Sequence, residues 1–137
     1  MTQSALEKKE VTFTKVFSSF SVNNLQKAKE FYAKTLGLNV VEEEEGLGLQ
    51  FDSGQSVFIY PKTDHAPATF TVLNLMVDDI SEAVDGLAVL GVKFESYDGE
   101  MKTDEKGIFW GSAGGNGPNI AWLKDPAGNI LSVIENK

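Results

Sequence analysis

A chain of 137 residues, 42% of them apolar, can bury one continuous core but not two. Lysine is the only strongly basic residue, and a net charge of −8 is the wrong sign for nucleic acid phosphates; with no arginine, the usual bidentate clamp for strongly anionic substrates is missing as well. The lack of cysteine excludes disulfides, thiolate metal sites and thiol nucleophiles, and no apolar run is long enough to span a membrane, so a cytoplasmic protein is expected.

Met1 to Lys15 precedes the first strand, and Val11-Thr12-Phe13 within it alternates like an edge strand or an arm exchanged between subunits. In the first strand, Val16, Phe20 and Val22 are predicted to pack under a helix, while Phe17, Ser19 and Ser21 point the other way. Asn24 is the predicted N-cap of that helix. Leu25, Ala28, Tyr32 and Leu36 form its apolar face, and Gly37 closes it. Strands are predicted at 38–41, 47–51 and 57–60, with Asp52-Ser53-Gly54 as a turn. Consecutive carboxylates Glu42 to Glu45 would point to alternate faces of a strand, which fits a solvated hairpin edge better than a cation site. The stretch Pro61 to Thr69 is a polar, proline-bounded seam, and the sole histidine, His65, is expected to be solvated there.

The pattern then repeats. Asp79 caps a second helix, Glu82 stands at the capping-box position, and Gly91 closes it after a stripe of Ile80, Ala83, Val84, Leu87 and Leu90. Strands are predicted at 92–97, 119–123 and 129–134, with Asp125-Pro126-Ala127-Gly128 as the last turn. A glycine-rich insertion from Ser96 to Pro118, with Ile108-Phe109-Trp110 at its centre, is expected to form a lid. Each half therefore reads βαβββ, and the fold class is α+β: one domain of two tandem modules, about 16–61 and 69–135.

Val22-Asn23-Asn24-Leu25 with Phe31-Tyr32 and Leu36-Gly37-Leu38, then Val77-Asp78-Asp79-Ile80 with Leu90-Gly91-Val92, then Asp125-Pro126-Ala127-Gly128-Asn129, resemble the vicinal oxygen chelate superfamily. That group includes glyoxalase I, bleomycin-resistance proteins and extradiol dioxygenases. The resemblance runs from Val16 to Glu135 and implies two curled four-stranded sheets facing each other around a cleft, with helices outside. It also implies where metal-using members keep their ligands: Phe17 and Val72 on the first strand of each half, Ser132 on the last strand, and a position near Phe58 or Tyr60. A phenyl ring, an isopropyl group and a hydroxyl cannot supply three converging donors, so no metal and no other cofactor is expected.

Strand alternation turns Phe17, Ser19, Phe58, Tyr60, Val72, Asn74, Ser132 and Ile134 toward the cleft, with Gln50, Phe109, Trp110 and Trp122 as further candidates. The candidate ligand-binding residues are Phe17, Ser19, Gln50, Phe58, Tyr60, Asn74, Trp110, Trp122 and Ser132, a lining suited to a small organic molecule, aromatic or cationic. No catalytic constellation accompanies them: no Gly-x-Ser-x-Gly turn occurs, and Gly111-Ser112-Ala113-Gly114-Gly115 precedes no capped helix. The resemblance points to a metal-free small-molecule binding or sequestering protein of resistance type, expected as a homodimer. The alternative is a metal-dependent lyase or isomerase of glyoxalase type with non-standard ligands.

Overall fold

The computed structural model describes residues 10–115 and 117–136. The first module consists of β1 (Ser18–Val22), α1 (Leu25–Glu30) running into a π-helical turn (Phe31–Thr35), β2 (Asn39–Glu43), β3 (Gly46–Gln50) and β4 (Ser56–Pro61). The second consists of β5 (Thr71–Val77), α2 (Ile80–Val89), β6 (Ile108–Trp110), β7 (Asn119–Lys124) and β8 (Ile130–Glu135). The strands form two four-stranded sheets, β1-β4-β3-β2 and β5-β8-β7-β6. In each, the first strand pairs in parallel with the last and the other neighbours are antiparallel. This is the expected α+β arrangement of two tandem modules.

The same local chemistry builds both modules. Asn24 Oδ1 accepts from the Lys27 N–H at 3.0 Å, and Asp79 Oδ1 accepts from the Glu82 N–H at 3.0 Å, each satisfying a backbone donor at its helix start. At the other end the Leu38 N–H donates to the Tyr32 carbonyl at 2.9 Å and the Val92 N–H to the Leu87 carbonyl at 3.1 Å, across glycines in the left-handed region. The hairpins match too: Phe51 N–H donates to the Gln55 carbonyl as Asp125 N–H does to the Asn129 carbonyl. These bonds make Tyr32 the counterpart of Leu87, Phe31 of Gly86, Phe51 of Asp125 and Gln55 of Asn129. Asn24 to Gly37 is nevertheless one residue longer than Asp79 to Gly91. The π-turn absorbs the extra residue, with the Leu36 N–H reaching the Phe31 carbonyl at 2.9 Å.

Strand register sorts the side chains. Phe20, Ile59 and Leu47 align across three strands of the first sheet, and Leu75, Val133, Ala121 and Ile108 across four of the second. Phe20, Ile59, Leu47, Val133, Ala121 and Ile108 join Ala28 from α1, Tyr32 from the π-helical turn and Ile80 and Val84 from α2 in one continuous core, with Leu75 only partly buried. Each such fully buried aliphatic or aromatic side chain contributes about 1.5–3 kcal/mol. Phe20 and Val22 lie in this core, as expected, but Val16 does not: it is 87% exposed, because β1 begins only at Ser18 and residues 10–17 form no strand. Val11 and Phe13 are exposed as well, and the part of the expected arm at 1–9 lies outside the described residues.

The insertion departs from the expected lid. Of the strand predicted at 92–97 only a single bridge, Phe94 to Leu123, is made, and Ile108–Trp110 from the insertion supplies the edge strand beside β7 instead. Ile108 is fully buried and Phe109 nearly so, so the aromatic centre is part of the sheet. Asp104 returns the chain to the sheet. Its Oδ1 accepts from the N–H groups of Lys106 (2.8 Å) and Ile108 (2.9 Å), and its Oδ2 from the Trp110 indole (2.9 Å). Partial burial works to raise the Asp104 pKa, but the Ile108 N–H, the Trp110 indole and the Lys106 N–H outweigh it and hold the carboxyl below its ordinary range. Gly107 between them has φ of 93° and lies so close to Phe94 that a Cβ would stand 2.7 Å from the Phe94 Cβ.

The modules are locked along one seam. Buried Tyr32 donates its hydroxyl to Asp125 Oδ2 at 2.8 Å, and Asn129 Nδ2 donates to the same oxygen at 3.0 Å and to the Ser21 carbonyl at 2.9 Å. Asp125 Oδ1 accepts from the N–H groups of Ala127 and Asn129, both at 2.9 Å. His65 closes the seam rather than standing in solvent: its Nε2 lies 3.0 Å from the Ala127 carbonyl and its Nδ1 2.7 Å from Ser21 Oγ. A carbonyl only accepts, so neutral His65 carries its proton on Nε2 and accepts the Ser21 hydroxyl at Nδ1.

Burial, then the Asp125 carboxylate, holds the Tyr32 phenol far above the usual tyrosine range. The folded state keeps the phenol neutral, so its contribution is whole below about pH 10, where free tyrosine titrates, and is lost as pH rises beyond that. Above that point the free energy of unfolding is expected to fall by up to about 1.4 kcal/mol per pH unit on account of Tyr32, and Tyr32→Phe should abolish that share. Parallel urea titrations of the two proteins between neutral and strongly alkaline pH check it; equal slopes would refute it.

Candidate ligand-binding faces

Each sheet turns one face to the core and leaves the other free. On the free face of the first sheet, Ser19 lies level with Phe58 and Gly48, and Ser21 with Tyr60. The Phe58 and Tyr60 rings lie nearly parallel, 17° apart with centroids 6.2 Å apart. Gln50 shares this face through its pairing with Ser56. Glycines make the floor: a Cβ on Gly46 would stand 2.9 Å from the Phe58 ring, and one on Gly48 would meet the Glu43 carboxylate. Phe17, just ahead of β1 and 57% exposed, joins Gln50, Phe58, Lys15 and Glu43 around a hollow of about 330 Å³. The side chains of Ser19, Gln50 and Tyr60 have no hydrogen-bond partner among the described residues and are available to a ligand.

On the free face of the second sheet, Asn74, Ser132 and Trp122 form a row across three strands. Ser132, fully buried, donates its hydroxyl to Asn74 Oδ1 at 2.5 Å, and the Asn74 amide N–H groups have no partner among the described residues. Trp122 is flanked by Tyr97, edge-on at 5.4 Å, and Phe109, tilted at 6.5 Å. Tyr97 was not singled out from the sequence. It is brought over the indole by a small ring of its own loop, in which the Tyr97 N–H donates to Thr103 Oγ1 at 2.9 Å and the Thr103 N–H to the Tyr97 carbonyl at 3.0 Å. Burial, then Glu95, raises the pKa of the Tyr97 phenol, which therefore stays a neutral donor.

Seven of the nine candidate residues thus fall into two rows, Ser19, Gln50, Phe58 and Tyr60 on one sheet and Asn74, Trp122 and Ser132 on the other, with Phe17 beside the first. Trp110 stands apart. It pairs with Asn119 on the opposite side of the second sheet, is 40% exposed, and is tethered to Asp104. Among the described residues no hydrogen bond or ring contact joins the two rows, and no group of three or more His, Asp or Glu side chains could hold a metal ion. No helix of the described residues is long and apolar enough to cross a membrane.

Two mixed sheets of order β1-β4-β3-β2 and β5-β8-β7-β6, built from repeated βαβββ units, define the class of fold. The chain belongs to the Glyoxalase/Bleomycin resistance protein/Dioxygenase superfamily, whose family model matches residues 14–133. Comparison with curated proteins yields no match. Among solved structures it is similar to a bleomycin resistance determinant encoded on the transposon Tn5, with 20% identity, 91% of this chain and 99% of that one covered, and a TM-score of 0.65. It is also similar to a glyoxalase family protein from Enterococcus faecalis (22% identity, 90% and 98% covered, TM-score 0.63). A third is TnmS3, an antibiotic binding protein from Streptomyces sp. CB03234 (22% identity, 93% and 100% covered, TM-score 0.61). At these identities the likeness is one of fold.

Proposed function

We propose that this chain is a metal-free binding or sequestering protein of resistance type, acting as a cytoplasmic homodimer on a small planar organic molecule, neutral or cationic. The observation that carries this reading is the chemistry of the two free faces: Trp122 between Tyr97 and Phe109 on one, Phe58 against Tyr60 on the other, with neutral hydrogen-bonding groups beside both. Flat rings gain from offset or edge contacts with such side chains, and a net charge of −8 disfavours anions. Bleomycin resistance and antibiotic binding are what the names of two similar structures say of those proteins, and both accord with this reading. In the homodimer one copy's first-sheet face would meet the other's second-sheet face, and the exposed Val11 and Phe13 would pack on the partner.

The positions that the resemblance assigns to metal ligands do not fit a transition metal. Phe17 and Val72 have no donor atom, and the Ser132 hydroxyl is already committed to Asn74. Adding manganese, nickel, iron or zinc to chelator-treated protein is therefore expected to give no stoichiometric uptake by elemental analysis at neutral pH. Tight one-to-one binding would overturn the reading in favour of a metal-dependent lyase or isomerase with ligands drawn from elsewhere on these faces.

A further inference from the structure

We infer that the seam between the modules opposite the Tyr32–Asp125 lock is a second binding site, distinct from the aromatic faces, for a small amphipathic cation with an aliphatic body. The two modules carry equivalent elements, so each lock residue has a counterpart across the molecule, and every counterpart is different. Leu87 replaces Tyr32, Gly86 replaces Phe31, Phe51 replaces Asp125 and Gln55 replaces Asn129. Two aromatic rings and a carboxylate have been exchanged for a leucine, a glycine and a phenylalanine, so among the described residues the second seam has neither the bulk nor the hydrogen bonds to close. It stands open as a groove of about 880 Å³.

That size falls within the roughly 300–1,000 Å³ of small-molecule sites, and the surface is mostly apolar with a few polar groups at its edge, as such sites are. Its walls are aliphatic, from Leu38 and Val57 on one module to Leu75, Leu87 and Leu90 on the other, with Phe51 as the one ring. Gly86 is the independent sign that the space is kept. It lies inside α2 without a positive φ, and a Cβ there would meet nothing within 4 Å, so neither backbone geometry nor crowding requires glycine at a position where almost any other residue would make a better helix.

The polar groups define the charge of the occupant. Ser53 and Gln55 are neutral, and among the described residues Glu82 is the only ionisable one lining the groove and no lysine reaches it. A carboxylate beside an aliphatic trough, with no cation next to it among the described residues, complements an alkyl or alicyclic amine, whereas a fatty acid or a phosphate would meet repulsion.

Decyltrimethylammonium, decanoate and decanol, each below its micelle-forming concentration, test the assignment by methyl NMR and calorimetry on the full chain. Decyltrimethylammonium is expected to bind one to one, shifting methyl signals of Leu75, Leu87 and Leu90 while leaving Trp122 fluorescence unchanged. Decanoate should bind at least about five-fold more weakly, and Glu82→Gln should erase the preference of the cation over decanol. Gly86→Leu fills the trough with a better helix former and should abolish binding while the thermal midpoint holds or rises. The methyl map is read on the unaltered protein, so it stands even if that variant fails to fold. Equal binding of decanoate, binding undiminished in folded Gly86→Leu, shifts confined to the Trp122 face, or a second copy of the chain seated in the groove would each overturn the inference. The aromatic faces are tested separately, by Trp122 fluorescence with planar ligands, so a failure of this inference and a failure of that reading are distinguishable.

Discussion

Replacing Asp125 with alanine is expected to destabilise the fold by about 3 to 5 kcal/mol, the largest effect of any single polar substitution in this chain. The carboxylate is buried and accepts from four donors: the Tyr32 hydroxyl, the Asn129 amide and the N–H groups of Ala127 and Asn129. Alanine would leave all four facing a small void away from water, and each unsatisfied buried donor carries a desolvation cost. The same residue organises the last turn and the contact between modules, so local and long-range terms are lost together. Asp125→Asn should cost less, because the amide oxygen can keep one pair of donors while its N–H₂ opposes the other. Tyr32→Phe should cost least, since it removes a donor and leaves an acceptor that still has three partners. Urea unfolding of the three variants checks the order; an Asp125→Ala protein within about 1 kcal/mol of the parent would show that the lock is not what joins the modules.

Trp122→Ala is expected to cost about 1 to 3 kcal/mol of binding to a planar ligand on the second-sheet face, which is roughly 5- to 150-fold in Kd. The indole is half-buried between Tyr97 and Phe109 and offers the broadest flat surface in either row. Trp110 serves as the internal control because it projects from the other side of the sheet and is held by Asp104. A ligand on the aromatic face should quench the parent protein but not the Trp122→Ala variant, in which Trp110 is the only indole left. Association of a cationic ligand should slow as ionic strength rises, while a neutral one should change little. Unchanged affinity in a folded Trp122→Ala protein would remove this residue from the site. Quenching that persists with Trp110 alone would move the ligand to the opposite face.

Much of the architecture was legible because its causes are short-range. Asn24 and Asp79 cap the N–H groups three residues ahead, Gly37 and Gly91 take conformations other residues avoid, and alternation along a strand fixes which side chains share a face. Both helices, most of the strands and the two candidate rows follow from those local rules. So does the unequal spacing of cap and glycine in the two halves, which the π-turn accommodates.

Other features depended on partners far along the chain. The open edge of β7 accepts whichever segment reaches it with the right pairing, and periodicity alone did not distinguish residues 92–97 from Ile108–Trp110. That choice also decided the facing of Trp110, since pairing with Asn119 turns it away from Trp122. Val16 has the composition of a strand residue, but β4 pairs with β1 only from Ser18 onward, so it has no sheet to join. His65 looked solvated because nothing near it in sequence binds its ring, whereas the ring's partners Ser21 and Ala127 arrive from the two modules. The amino-acid sequence by itself determined the repeated unit, its caps, its turns and the aromatic character of the free faces, all properties of a few neighbouring residues. Only the tertiary structure decided which seam locks and which stays open, because a hydrogen bond such as Tyr32 to Asp125 exists only once two separately folded stretches of chain have been packed against each other.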